Sequence, residues 1–271
     1  MKAIVKGALA AGVLLIVAAG FMAGLRAPAP SPERKQTLTI AAASDLKFAL
    51  DEFLAEFRAR HPDASIQVTY GSSGNFLAQI SNGAPFDVFL SADVAYPRKL
   101  AEQGLVDEKE PVFLYAVGRI VVWVPEGSPL AVESLGMEAL REPAARRIAI
   151  ANPQHAPYGR AAEAALKSLG VHEAVKDRLV LGENIAQTAQ FVQSGSADAG
   201  IIALALALAP AMKGQGRYWE VPLEAYPRME QGGAILKRAA DPELARRFRD
   251  ELLGPRGRAL LGRYGFSLPG E

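Results

Sequence analysis

Four short segments share one chemical design. "AAAS" (residues 41–44) ends at Ser44, and "GSSG" (71–74) sets Ser72 and Ser73 between two glycines. "HAPYG" (155–159) carries Pro157 and Tyr158, and "GEN" (182–184) places Asn184 before Ile185. Each closes a stretch that reads as a strand and opens one that reads as a helix. In open α/β sheets, ligands bind at such junctions, at the carboxyl ends of the strands. The first N–H groups of a helix have no acceptor within it, and the aligned peptide dipoles place about half a positive charge there. The natural guest is an anion, held by amide and hydroxyl protons with no cationic side chain. Gly71 and Gly74 permit close backbone approach, and Ser73 adds a hydroxyl.

Each position also has a plainer reading. Ser44 and Asn184 fit as N-caps, Asn184 with Gln187 as a capping box. Asp45 fits as an ordinary acid in a first helical turn, and Tyr158 as a half-buried aromatic. The fourfold repetition favours one shared site. Other chemistries lack their residues. No GxxxxGK[ST] or GxGxxG occurs. His61, His155 and His172 are scattered without metal-ligand spacing. With no cysteine and no GxSxG elbow, His155 is the sole base a serine nucleophile could use. The expectation is a binding protein, not an enzyme, with no cofactor and no metal cation.

The elements around these turns alternate. Strands are expected at 37–43, 65–70 and 86–92, with helices at 45–62, 75–82 and up to about 103. On the first helix Leu46, Leu50, Phe53 and Phe57 share a face. A second series begins at 119–125. Strands at 147–153, 178–183 and 197–203 alternate with helices at 159–170 and 185–195, and a late strand at 232–239 precedes C-terminal helices. The "ALALALAL" stretch fits neither period. Repeated β-α units argue for parallel sheets covered by helices. The second α/β half is inserted into the first, giving a lobe of 37–117 with 228–271 and a lobe of 118–227. A cleft between two such lobes is a natural ligand site.

The N-terminus differs. Lys2 and Lys6 precede an uncharged apolar run from Gly7 to Leu25, the pattern of a signal peptide. We expect a signal over 1–26, cut between Ala23 and Ala29, and a linker over 27–36. If uncleaved, the run would tether the chain to the membrane. Without Lys2, Lys6 and Arg26, the 30 basic residues fall to 27 against 29 acidic ones. No basic block stands out, so nucleic acid is not an expected partner.

With these residues located, the chain resembles the periplasmic molybdate-binding proteins of ABC importers, which have the type II periplasmic binding fold. The resemblance spans about residues 37–268. It rests on "AAASDLKFALDEF", "YGSSGNFLAQISNGAPFDVFLSAD", "NPQHAPYGRAAEAAL", "ENIAQTAQFVQSGSADAGII" and "LLGRYGFSL". It implies two Rossmann-like lobes with a central cleft, a periplasmic location, a monomer, an ABC transporter membrane permease as partner, and molybdate or tungstate as ligand. It also implies that Ser44 and Ser73 bind oxyanion oxygens by hydroxyl and backbone N–H, and that Asp45, Tyr158 and Ile185 offer backbone N–H groups. Many members carry a tyrosine in the strand after the "GII"-like sequence. Ala203 stands there in this chain, and the Tyr158 hydroxyl is expected to take over that tyrosine's role.

Donors alone suit molybdate, tungstate and sulfate, which are dianions near neutral pH. Phosphate keeps a proton part of the time and wants an acceptor, for which Asp45 is the nearest acid. Sulfate, phosphate or a small organic anion clamped by Arg160 are therefore alternative ligands. A fold retained for envelope sensing or interaction is the alternative of a different class.

Overall fold

The computed structural model describes residues 36–270. The expected signal and all of the linker but Gln36 lie outside the described residues. Ten strands form two five-stranded sheets. The first sheet contains β1 (Gln36–Ala43), β2 (Ala64–Gly71), β3 (Val88–Ser91), β4 (Phe113–Gly118) and β10 (Met229–Ile235), in the order β2-β1-β3-β10-β4. The second contains β5 (Ile120–Pro125), β6 (Ile148–Ala151), β7 (Leu179–Gly182), β8 (Ala199–Ala203) and β9 (Gly216–Glu220), in the order β7-β6-β8-β5-β9. This is a two-lobed α/β fold.

The sheets are mixed, which corrects the expectation of parallel ones. β1 runs parallel to β2 and β3, and β6 parallel to β7 and β8. β10 is antiparallel to β3 and β4, and β5 to β8 and β9. The reversals fall on strands next to the passages between sheets. The chain leaves β4 at Gly118 and enters β5 at Ile120, and it returns between β9 and β10. The late strand starts at Met229, earlier than expected, and β4 and β9 were not foreseen.

The helices with apolar faces cover these sheets. α1 (Lys47–Arg60) buries Leu50, Phe53, Leu54 and Phe57, and Phe53 and Phe57 meet Phe248 edge-on. Phe248 belongs to α9 (Pro242–Leu253), which is followed by α10 (Pro255–Arg263). Fully burying such side chains contributes about 1.5–3 kcal/mol each. α2 (Ser73–Ser81) and α3 (Ala95–Glu102) follow β2 and β3. In the second lobe α5 (Pro157–Ser168) follows β6 and α7 (Ile185–Gln193) follows β7, with α4 (Val132–Leu135) and α6 (His172–Val175) as short turns. The alternating Ala-Leu run becomes α8 (Leu204–Ala207), buried throughout.

Candidate functional site

The four junctions come together. Ser44, Asp45, Ser73, Tyr158 and Ile185 line one cavity, with Ala43, Gly71, Ser72 and Ala92 completing much of its wall. It holds about 190 Å³ of space between atoms. The part of it that a water-sized sphere can reach is about 10 Å³, far below the roughly 300–1,000 Å³ typical of pockets for organic molecules. No Lys, Arg or His lines it. Ser73 is fully buried, and Ser44, Asp45, Tyr158 and Ile185 are each at most 3 % exposed.

Local sequence explains each donor. Ser73 opens α2, Ile185 opens α7, and Tyr158 is the second residue of α5. Their N–H groups fall in first turns, where the helix itself supplies no acceptor. Pro157 fits the first position of α5 because it has no N–H to satisfy there. Asn184 does cap α7, its side-chain oxygen accepting from the N–H groups of Ala186 and Gln187 at 3.1 Å. Ser44 does not cap. It opens a single 3-10 turn, Ser44–Leu46, that leads into α1. Its hydroxyl instead donates across the cleft to Asn184 Oδ1 at 3.0 Å and accepts from Ala186 N–H at 3.3 Å. The Ser73 hydroxyl oxygen accepts from Ala92 N–H at 3.0 Å, which leaves its proton available to a guest.

Tyr158 departs from expectation. Its hydroxyl donates to Asp45 Oδ2 at 3.0 Å and receives the amide of Gln231 at 3.0 Å. The single hydroxyl proton is thus committed to Asp45, so in this arrangement it does not replace the tyrosine absent at Ala203. Gln231 Nε2 also donates to Asp45 Oδ2, at 2.7 Å. Gly118 makes room for this cluster, because a Cβ there would lie 2.6 Å from the Tyr158 hydroxyl and 2.7 Å from the Gln231 amide nitrogen. Burial pushes the Asp45 carboxyl up to about 6, the largest influence on it, against the hydrogen bonds from Gln231 and Tyr158 that favour its charge. The backbone N–H groups of Asp45 and Leu46 also pull it down, yet neither makes a hydrogen bond to Oδ1. Burial and the nearby Asp45 push the Tyr158 hydroxyl well above its ordinary range, so it stays protonated.

The lobes also touch around the cavity. Gly74 N–H donates to His155 O at 2.9 Å. Ser72 Oγ lies 3.0 Å from His155 Nδ1, and Asn75 donates to Glu183 at 2.5 Å. On α5, Arg160 donates to Tyr96 Oη and Asp93, each at 2.7 Å. Arg160 is thereby paired with Asp93 and does not line the cavity, which removes the basis for a carboxylate clamp. Among the described residues no group of three or more His, Cys, Asp or Glu could hold a metal ion.

Gln231 was the residue that sequence reasoning missed as a neighbour of the site. Gln231 lies in a strand whose start was misplaced, and its partner Asp45 is 186 residues away. A polar residue at an inward position of an apolar strand was the available signal.

A two-lobed α/β fold with helix N-termini gathered on a cavity without a cationic side chain defines a class of protein that captures a small anionic solute. The match to known proteins agrees. Residues 38–267 fit the family described as bacterial extracellular solute-binding protein, and the chain belongs to that family. It is 36% identical over 254 residues to the molybdate-binding protein ModA of Azotobacter vinelandii, covering 94% of this chain and 97% of that one. It is 35% identical to ModA of Rhodobacter capsulatus, covering 74% and 77%. The solved periplasmic molybdate-binding protein of Azotobacter vinelandii superposes with a TM-score of 0.80 at 33% identity, over 86% of this chain and 99% of that one. The sulfate-binding protein SubI of Mycobacterium tuberculosis, at 16% identity and a TM-score of 0.68 over 87% and 88%, shares the fold.

Proposed function

We propose that this protein captures molybdate, and tungstate by the same chemistry, for an ABC importer. The observation that carries the reading is the convergence of Ser44, Asp45, Ser73, Tyr158 and Ile185 on one small buried cavity without a cationic side chain. In the proposed complex Ser73 donates its hydroxyl and backbone N–H, Ser44, Tyr158 and Ile185 donate backbone N–H groups, and Asp45 donates its own. Such donors are worth more in a dry site than in water. The ModA relatives supply the identity of the anion. The role is binding and release, with no catalysis and no cofactor.

The lobes, taken as 37–117 with 228–271 and 118–227, close on the anion as two bodies about the passages near Gly118 and before Met229. Donors from both meet only when closed, so the anion stabilises closure by its differential affinity. The protein works as a monomer in the periplasm, exported by a signal within residues 1–26 that is then cleaved. If that signal stays, it remains membrane-tethered. It delivers its ligand to a membrane permease and has no nucleic-acid partner. Among the described residues no helix is long and apolar enough to cross a membrane.

A thermal-shift panel on the purified exported protein tests this. Molybdate and tungstate should raise the melting temperature strongly, and amino acids not at all. A larger shift with sulfate or phosphate would move the assignment to that anion, and silence with all of them would defeat it.

A further inference from the structure

Asp45 is the one acid on the cavity wall, and only half of its carboxyl is satisfied. Oδ2 accepts from the Tyr158 hydroxyl and the Gln231 amide. Oδ1 is buried with no hydrogen-bond partner. Tyr158 reaches this carboxyl from α5 and Gln231 from β10. Tyr115 of β4 is electrostatically coupled to it, but gives its own hydroxyl to Ser91 O at 2.9 Å. The N–H groups of Asp45 and Leu46 approach from its own turn. No cation on the cavity wall offsets its charge.

A dianion set against an ionised Asp45 would meet a like charge in a site that screens it poorly. The same carboxyl carrying a proton meets the anion as a donor, and its unpartnered oxygen gains a partner. We infer that the protein takes up one proton with each oxyanion, carried on Oδ1 of Asp45, so that the complex contains a neutral carboxylic acid donating to the anion. The inference rests on the oxyanion reading above. The proton comes from solvent and returns there on release, and no other bond changes. Burial already holds the free carboxyl near 6, so at neutral pH it is mostly ionised before the anion arrives and gains its proton on binding. A hydrogen-bearing anion such as hydrogen phosphate brings its own proton and would need no uptake.

The test is calorimetric titration of the full exported protein with molybdate at about pH 8, in buffers of different ionisation enthalpy. The heats should report close to one proton taken up per anion. The Kd should weaken by up to about tenfold per pH unit above about pH 6.5. Asp45→Asn keeps an oxygen for Tyr158 and Gln231 and supplies N–H donors in place of the proton. In that variant, proton uptake should vanish and the Kd should no longer follow pH. Heats independent of buffer in the wild type would overturn the inference while leaving oxyanion binding intact, as would a pH slope that survives in Asp45→Asn. If the variant does not fold, the wild-type proton count decides alone. No heat with molybdate, tungstate, sulfate or phosphate would defeat the oxyanion reading and this inference together.

Discussion

Gly74→Ala tests whether closure of the lobes is what binds the anion. Gly74 donates its N–H to His155 O at 2.9 Å, and a Cβ at this position would sit 2.6 Å from that oxygen and 2.9 Å from His155 Cα. Ordinary contact starts at 3.4 Å, so closure would stop about 0.8 Å short, the difference between 3.4 and 2.6. Both of those atoms are backbone, so no side chain can swing aside. The Gly74–His155 bond would stretch beyond the range of a real hydrogen bond, and the donors of the two lobes would no longer converge on one anion. Losing one neutral bond, at about 0.5–1.5 kcal/mol, and weakening one bond to a charged group, at about 1.5–3 kcal/mol, gives a loss of roughly 2–4 kcal/mol. That corresponds to a Kd about thirtyfold to several hundredfold weaker. Calorimetric titration with molybdate measures it. The melting temperature of the ligand-free protein should change little, because neither lobe's core is touched and alanine favours the helix. A Kd within about threefold of wild type would refute the reasoning, for it would show that the lobes need not meet at Gly74.

Three further outcomes are expected. Ser73→Ala should weaken molybdate binding by about ten- to a hundredfold, as expected for a hydrogen bond to a charged group. It should also lower thermal stability, because the buried Ala92 N–H loses its acceptor. Asp45→Asn should stabilise the ligand-free fold in a pH-dependent way. A carboxyl raised from 3.8 to about 6 by burial favours folding most below about pH 4, and that advantage is lost as pH rises through 6, because the folded state binds the proton more tightly. The variant's stability relative to wild type, from urea unfolding, should therefore improve by about 2–3 kcal/mol between about pH 4 and pH 8, and a constant difference would contradict it. Arg160→Ala removes a partly exposed ion pair with Asp93, worth about 0.2–1 kcal/mol. Molybdate release in stopped-flow measurements should quicken up to about fivefold, with the difference shrinking at high salt.

Much of the candidate site was legible because its signal is local. A strand, a small or polar turn and a helix lie within a dozen residues, and four such junctions place Ser44, Ser73, Tyr158 and Ile185. What those side chains hold was not legible, because the partners are remote in sequence. Ser44 bonds to Asn184 across 140 residues and Tyr158 to Asp45 across 113. Nothing in the local pattern of Ser44 separates an N-cap from a tether between lobes. The Ala-Leu run defeated periodicity for a different reason. Residues from Ala199 through Ala207 are buried on every side, so no polar face exists to mark either period. The antiparallel strands escaped notice because strand direction is set by where the chain crosses between lobes, and composition carries no trace of it.

The most direct measurement is a crystal structure of the protein grown with molybdate, with data collected at the molybdenum absorption edge. One strong anomalous peak should mark molybdenum in the cavity, with the oxygens around it within hydrogen-bonding distance of the Ser73 hydroxyl and of the N–H groups of Tyr158 and Ile185, and with no cation beside it. A peak elsewhere on the molecule, or crystals in which that cavity holds no molybdenum at saturating molybdate, would contradict the account.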